Sequence, residues 1–284
     1  MLNEFSIHNE FLKVRIKRKG AELCSVIGND GTDFIWQAES VWPRHAPNLF
    51  PIVGSLLDHE YTYEGESYSL SHHGFARNLD FDMLHQSEHS ICFVLQQSDE
   101  TLQSFPFNFT LLITYRLDGN ALKQIFRIIN TGDSAMPASV GGHPAFNAKN
   151  IEDYEIVFGE DETVKSNQLS GPYINDEEVD VIKNRSIQLD KHTFDNDALI
   201  FQNLHSRFVS LKHKLSNHEV KVDISGFPYL GIWAKPGAPY VCIEPWQGLA
   251  DYTSHNKNIL EKKGIVTIEK EEELERSFTM EFYS

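Results

Sequence analysis

Phe107-Asn108-Phe109-Thr110-Leu111-Leu112-Ile113-Thr114-Tyr115-Arg116-Leu117-Asp118-Gly119-Asn120-Ala121-Leu122 is the stretch that decides the fold class. Phe107, Phe109, Leu111, Ile113, Tyr115 and Leu117 stand two residues apart, the spacing that puts side chains on one face of a strand. Asp118-Gly119-Asn120 then supplies turn chemistry, and an apolar return runs over residues 122–129. The pattern predicts an antiparallel hairpin with one face of each strand on a core and the glycine permitting the reversal. Outward from it, Leu12, Val14 and Ile16 alternate with charged residues. Similar apolar stretches recur at residues 91–95, 154–158, 220–224, 229–233, 240–243, 265–268 and 278–282, and residues 61–68 read as another tight hairpin. Helical periodicity is weak; the best case is a short helix around residues 258–262 that Gly264 ends. Many short strands with few short helices predict an all-β chain, a sandwich or barrel. No Pro- or Ser-rich linker interrupts it, so one domain over residues 1–284 is expected, with the acidic stretch 175–180 as a solvated loop.

Composition narrows the partners. The chain has 284 residues, 40% hydrophobic and 23% charged, as an ordinary folded protein does. Lys plus Arg is 25 against 41 for Asp plus Glu, a net charge of −16. A duplex or an anionic membrane needs a basic face, so no nucleic acid and no membrane partner is expected. The basic run Lys17-Arg18-Lys19 reads as a solvated strand end. No apolar run approaches the roughly 18 residues of a membrane span. The opening Met1-Leu2-Asn3-Glu4 lacks a basic region before an apolar one, so no export leader is expected. Cys24, Cys92 and Cys242 are odd in number and lie in apolar sequence, which suits buried thiols in a reducing, cytoplasmic setting. Phosphate-loop, dinucleotide and nucleophile-elbow motifs are absent, and so is the His-x-His of a metal-binding β-barrel. His85 and His89 are four apart but fall in a strand-and-turn region, so no metal is assigned to them.

Three segments break the apolar pattern: Ser71-His72-His73-Gly74-Phe75-Ala76-Arg77, Gly141-Gly142-His143-Pro144-Ala145-Phe146-Asn147 and Tyr240-Val241-Cys242-Ile243-Glu244-Pro245-Trp246. Glu244 ends an apolar strand, and a carboxylate at the inner end of a buried strand is costly unless it is paired or used. Pro245 after it holds its backbone extended. His143 follows two glycines, which allow a sharp bend or a close approach to the backbone. The plain alternatives are a surface Glu at a strand end, a His bonded within its loop, and an exposed turn carrying His73 and Arg77. Together the residue types suit proton transfer on a neutral polar molecule: a carboxylate as base, and an imidazole that is cationic near neutral pH when carboxylates stand close. One base and one acid are the minimum for moving a proton between two oxygens. Trp233, Trp246, Phe75 and Phe146 offer apolar faces of the kind that pack on the C–H faces of a sugar ring.

These clusters resemble the aldose 1-epimerase (galactose mutarotase) family, and most closely its bacterial LacX-like branch. The resemblance rests on a tract running from Trp42-Pro43-Arg44-His45 to Pro51-Ile52-Val53-Gly54, then His73-Gly74-Phe75-Ala76-Arg77, Gly142-His143-Pro144-Ala145-Phe146-Asn147, Phe194-Asp195-Asn196-Asp197-Ala198-Leu199 and Glu244-Pro245-Trp246. The order is kept from about residue 40 to 250, and the terminal strands fit by pattern only. The resemblance implies a large antiparallel β-sandwich, the galactose mutarotase-like supersandwich, with no metal and no organic cofactor. It implies an isomerase that interconverts the α and β anomers of an aldose. Glu244 would be the general base on the C1 hydroxyl and His143 the general acid on the ring oxygen, with the roles reversed on reclosure. His73 would bond the ring oxygen or a hydroxyl near it, and Arg44 and Arg77 would bind hydroxyls. Either Asp195 or Asp197 would bind the sugar; Asp197 directly precedes the apolar run and is preferred.

Two departures concern the pocket wall. Better-studied mutarotases carry Tyr-Phe-Asn where this chain has Ala145-Phe146-Asn147, and Glu-Thr/Pro-Gln where it has Glu244-Pro245-Trp246. The sugar is therefore left open. The alternatives are a hexose 6-phosphate mutarotase, in which Arg44 and Arg77 serve a phosphate, and a carbohydrate-binding protein without catalysis. In each reading the partner is a small-molecule sugar and the protein is a monomer or homodimer.

Overall fold

The structure, a computed structural model, describes residues 2–284. Met1, part of the opening stretch considered above, lies outside the described residues. Strand accounts for 48% of the chain and helix for 6%. The larger antiparallel sheet has nine strands in the order Ser186–Gln188, Tyr154–Phe158, Phe208–His213, Glu219–Asp223, Glu273–Tyr283, Ala121–Asn130, Phe109–Asp118, Ser90–Gln96, Asp82–Gln86. The second runs Tyr173–Val179, Ser166–Ser170, Leu199–Gln202, Tyr229–Trp233, Tyr240–Trp246, Gly141–Gly142, Asn48–Leu49, and Ala145–Asn147 also pairs with Tyr240–Trp246. A three-stranded sheet, Glu4–His8, Leu12–Lys17 and Leu23–Gly28, stands beside them. Among the described residues no helix is long and apolar enough to cross a membrane.

The hairpin forms as its alternation dictates. Phe109–Asp118 and Ala121–Asn130 pair from Asp118↔Ala121 to Phe109↔Asn130. Gly119 turns the chain at φ 57°, a left-handed conformation that costs glycine little. Leu111, Ile113, Tyr115, Phe126 and Ile128 point inward and meet Phe201, Leu230, Ile232, Val241 and Ile243 of the second sheet in one buried cluster. A sandwich results because each sheet covers the other's apolar face.

Polar groups also cross the core. Asn48 Nδ2 donates to the carbonyls of Gly20 (2.8 Å) and Ala21 (3.0 Å), with Tyr115 Oη 3.3 Å away. Gln124 Nε2 donates to Asn48 Oδ1, and the Tyr115 hydroxyl donates to the Ala21 carbonyl at 2.8 Å. This buried knot ties both large sheets to the turn of the small one, with Asn48 at its centre.

Three local expectations are corrected. Residues 175–180 are not a loop: the strand Tyr173–Val179 includes most of them. It is an edge strand with an exposed acidic half, and charge there blocks further pairing. The helix expected around residues 258–262 shrinks to a 3₁₀ turn, Ile259–Glu261, where the Asn258 side chain accepts from Leu260 N–H. Cys24 and Cys242 are buried but Cys92 is only half-buried; the thiols are free. The α-helix Asp99–Ser104 was not foreseen; its signal is local, a Ser98/Thr101 capping box.

Asn48→Ala strands the Gly20 carbonyl and the Gln124 amide in a dry interior, while the Tyr115 hydroxyl keeps its bond to the Ala21 carbonyl. The expected loss is about 3 kcal/mol in urea unfolding; a loss below about 1 kcal/mol would remove the knot from its structural role.

Candidate active site

The strand Tyr240–Trp246 carries the site. All seven residues are buried, so both of its faces are covered. Alternation sends Val241 and Ile243 one way and Cys242, Glu244 and Trp246 the other. His143 reaches this second face through a specific device. Gly141 pairs with Trp246 and Ala145 with Cys242 in one unbroken register, so residues 142–144 form a short arch between two anchored points, with His143 directly opposite Glu244. Ile243 N–H donates to the Pro144 carbonyl at 3.3 Å and pins the arch. Only glycine fits at its start: a Cβ on Gly141 would stand 2.7 Å from the Trp246 indole, and one on Gly142 would stand 2.6 Å from the Phe278 ring.

The arch sets His143 Nε2 3.1 Å from Glu244 Oε2. The two atoms are in contact without an aligned hydrogen bond, and Oε2 has no other partner among the described residues. Glu244 is 1% exposed and His143 7%. The imidazole stacks on Trp42 at 5.1 Å between ring centroids and meets His73 (5.5 Å) and Trp233 (5.9 Å) edge-on. These rings fix its orientation and exclude water.

Burial sets the protonation of both groups. It pushes the Glu244 carboxyl well above 4.5, and the negative charge of Asp197 adds to that. The Trp246 indole N–H pulls partly the other way, although it makes no aligned hydrogen bond. His143 is pushed down to about 3, first by burial and then by the charges of Arg77, His72 and Arg44. His73 is buried and also driven well below 6.5 by desolvation. Gly54 N–H donates to His73 Nδ1 at 2.9 Å, so the neutral imidazole carries its proton on Nε2 and can donate from there. His73 N–H returns a bond to the Gly54 carbonyl at 2.9 Å, which holds the residue at φ 63°.

Glu244 and His143 open on a cavity of about 240 Å³, also lined by His73, Arg77, Asp197, Trp42, Trp233 and Trp246. That lies just below the usual range for small-molecule sites, about 300–1,000 Å³. Arg77 stays a cation although burial and the charge of Arg44 lower it to about 10. Its Nη2 donates to the His72 carbonyl at 2.6 Å, while Nε is buried without a partner. Asp197 sits at φ 73° with Oδ1 accepting from Ala198 N–H at 2.8 Å.

Other residues singled out in the sequence fall elsewhere. Phe146 is fully buried in the core, so the expectation that it faces a sugar is corrected: it stands an odd three residues from His143, so it takes the opposite face of the strand, pairs with Val241 and points inward. Asp195 is turned to the surface and pairs with His192 at 2.8 Å. Arg44 does not line the cavity; its Nη2 donates to Asn78 Oδ1 at 3.0 Å, and it acts on the site through its charge. Phe75 packs against Phe50, Phe105 and Phe109. Trp42 and His72 line the cavity but were not singled out as sugar-binding residues. For Trp42 the available signal was an aromatic next to proline in the tract that carries the family resemblance. Cys242 stands behind the pair, its thiol pushed well above 9 by burial. The ligand atoms of His143, Cys242 and Glu244 lie within 4.8 Å of one another, the one such grouping among the described residues able to hold a metal ion.

Comparison with known proteins gives the family. A sequence profile described as aldose 1-epimerase matches residues 3–267. The plasmid-borne protein LacX of Lactococcus lactis subsp. lactis is 32% identical over 278 residues, 92% of this chain and 93% of that protein. The solved structure of a galactose mutarotase related enzyme from Lactobacillus acidophilus superposes with a TM-score of 0.95 at 35% identity, covering 99% of this chain and 97% of that one. A galactose mutarotase-like protein from Lactobacillus casei gives 0.94 at 29% identity, covering 98% and 99%. With a family profile matched along most of its length and the fold of the mutarotase-like structures, the chain belongs to the aldose 1-epimerase family.

Proposed function

We propose that the protein interconverts the α and β anomers of a free hexose by opening and reclosing its ring. The observation that carries this reading is the 3.1 Å contact between His143 Nε2 and Glu244 Oε2 on the floor of a monosaccharide-sized cavity. A cyclic aldose bears a hydroxyl and a ring oxygen on the same carbon. Two groups this close can serve both oxygens at once: Glu244 takes the proton of the C1 hydroxyl while His143 gives one to the ring oxygen. The C1–O bond to the ring breaks, C1 becomes a carbonyl, and the C1–C2 bond rotates. Reclosure runs the transfers backwards and delivers the other anomer. His73 Nε2–H and the Arg77 guanidinium are donors for hydroxyls, and the Asp197 carboxylate is an acceptor. Trp42, Trp233 and Trp246 supply faces for the C–H side of the ring.

A proton inventory supports this assignment. In the dry site, burial favours protonated Glu244 beside neutral His143. The working form, carboxylate beside imidazolium, holds the same single proton and differs only in where it sits. Ring opening converts the working form into the one that burial favours, so the site stabilises the opened sugar.

A second reading has a specific observation behind it. Arg44 and Arg77 form no ion pair among the described residues, in a chain of net charge −16, and Arg77 Nε is buried and unpartnered. An anionic group on the sugar, a 6-phosphate, would occupy that gap.

Anomer exchange followed by NMR or polarimetry on fresh α-aldoses is expected to accelerate with protein. Glu244→Gln and His143→Asn should each slow it by at least about 100-fold with the fold retained. No acceleration across a panel of aldoses and their 6-phosphates would leave only a sugar-binding role. In the same panel Arg77→Ala should raise KM more than it lowers kcat, and a KM rise confined to phosphorylated sugars would select the second reading.

Folding stability gives an independent check with opposite signs. An unfolded Glu releases its proton near 4.5 and an unfolded His near 6.5. Between those values the unfolded pair holds one proton, as the folded pair does, so the pair adds no slope to stability against pH. With His143→Asn, the raised Glu244 remains, and its contribution is lost as pH rises. With Glu244→Gln, the depressed His143 remains, and its contribution is lost as pH falls. From pH 4.5 to 6.5 the first variant should lose stability relative to the parent and the second gain it, each by up to about 1.4 kcal/mol per pH unit. Chemical denaturation at several pH values reads this directly; parallel curves for all three proteins would refute the inventory.

A further inference from the structure

We propose that His143, Cys242 and Glu244 form a binding site for a thiophilic divalent cation, Zn²⁺ foremost, and that the bound cation shuts off proton transfer by taking both groups of the pair. The inhibitory half rests on the function proposed above; the metal site itself stands on geometry and ligand chemistry.

Cys242 lies two residues before Glu244 on the same strand, so both side chains leave the same face. The arch that delivers His143 is paired at Ala145↔Cys242, which brings the imidazole over both. The three ligand atoms lie within 4.8 Å of one another, and the imidazole and carboxylate are already 3.1 Å apart. Zinc bonds of about 2.0–2.3 Å in a tetrahedron need donors roughly 3.3–3.6 Å apart in an N, O, S set, so the widest separation has at most about 1.3 Å to close, shared between two side chains. One sulfur, one nitrogen and one oxygen ligand leave a fourth position open toward the cavity, as in zinc sites that keep an exchangeable ligand.

Two further observations point to a cation. Glu244 Oε2 is buried with no aligned hydrogen bond among the described residues, so it has capacity for one. Among the described residues no hydrogen bond of Cys242 competes for its sulfur. Charge then decides in favour of a divalent ion. A thiolate and a carboxylate together balance Zn²⁺, so the complex is neutral where an isolated charge would be costly. The thiol proton and the one proton held by the Glu244–His143 pair both leave to solvent as the bonds to the cation form. The competing reading makes Cys242 a packing residue of the core, whose thiol meets nothing but hydrocarbon.

The full-length chain titrated with Co²⁺ separates the two. The site predicts a thiolate-to-cobalt charge-transfer band in the near ultraviolet that Zn²⁺ displaces. Cys242→Ser and Cys242→Ala should abolish it, while Cys24→Ser and Cys92→Ser should keep it. Absence of the band, or its survival in both Cys242 variants, overturns the site whether or not the protein turns over sugar. In the anomer-exchange assay Zn²⁺ should inhibit competitively with sugar and EDTA should reverse it. The Cys242 variants should keep basal turnover and need at least ten times more Zn²⁺ for the same inhibition. Turnover unaffected by Zn²⁺ at concentrations that displace cobalt overturns the inhibitory half and leaves the metal site.

Discussion

A carboxylate and an imidazole 3.1 Å apart, with almost no solvent around them, hold one proton between them at low cost, and neither none nor two. Removing the proton leaves an isolated buried anion; adding another leaves an isolated buried cation. Much else at the site serves that constraint. The strand Tyr240–Trp246 must be buried on both faces so that Glu244 is dry. Two glycines must begin the arch so that it can lie against Trp246 and Phe278. The rings of Trp42, Trp233 and His73 must pack around His143, because a mobile imidazole would readmit water.

Such a pair is not there to stabilise the protein. Replacing buried ionisable groups with packed hydrocarbon is often neutral or favourable to stability. Its cost is met elsewhere, by a core that runs without interruption from one large sheet to the other and by the Asn48 knot that fastens both to the small sheet. The same logic explains the single-proton inventory. A site that kept Glu244 permanently ionised would need a fixed cation beside it, and that cation would hold the carboxylate back from taking a proton. Arg77 and Arg44 are set back instead: their charges act on His143 and on each other, but neither forms an ion pair with Glu244.

What was legible in the sequence follows from what local pattern encodes. Period-two alternation over residues 107–117 reports one covered face, and the hairpin and the all-β class follow from it, while the register is seen only in the pairing itself. The edge strand Tyr173–Val179 defeated the same reading because its outer half has no covered face to report; its charges answer to solvent, not to a core. The two principal site residues stood out because a titratable group beside Gly or Pro in apolar sequence is costly unless it has a use. Phe146 was misassigned because only its distance from His143 was weighed and not its parity. It lies an odd three residues from His143, so the strand turns it to the opposite face, where it pairs with Val241 and enters the core. Arg44 has a related history: it is near enough for its charge to matter and too far to line the cavity.

The departures from better-studied mutarotases can now be placed in space. Trp246 stands where those proteins have Gln. Its indole covers the backbone of Gly231, the residue paired with Glu244; a Cβ there would stand 2.5 Å from the six-membered ring. It also approaches the His73 ring, 6.3 Å between centroids. An amide at this position would offer a donor and an acceptor to a sugar hydroxyl, whereas the indole offers an apolar face and one buried N–H that makes no aligned hydrogen bond among the described residues. Ala145, where those proteins have Tyr, is fully buried and takes a backbone place opposite Cys242. The wall beside Glu244 and His143 is thus more apolar and tighter than an amide and a phenol would make it. Under the proposed function, recognition of hydroxyls would fall to His73, Arg77 and Asp197, which also line the cavity. Sugar preference in this branch should therefore follow the hydroxyls those three can reach, while the aromatic wall selects for a ring with a continuous C–H face.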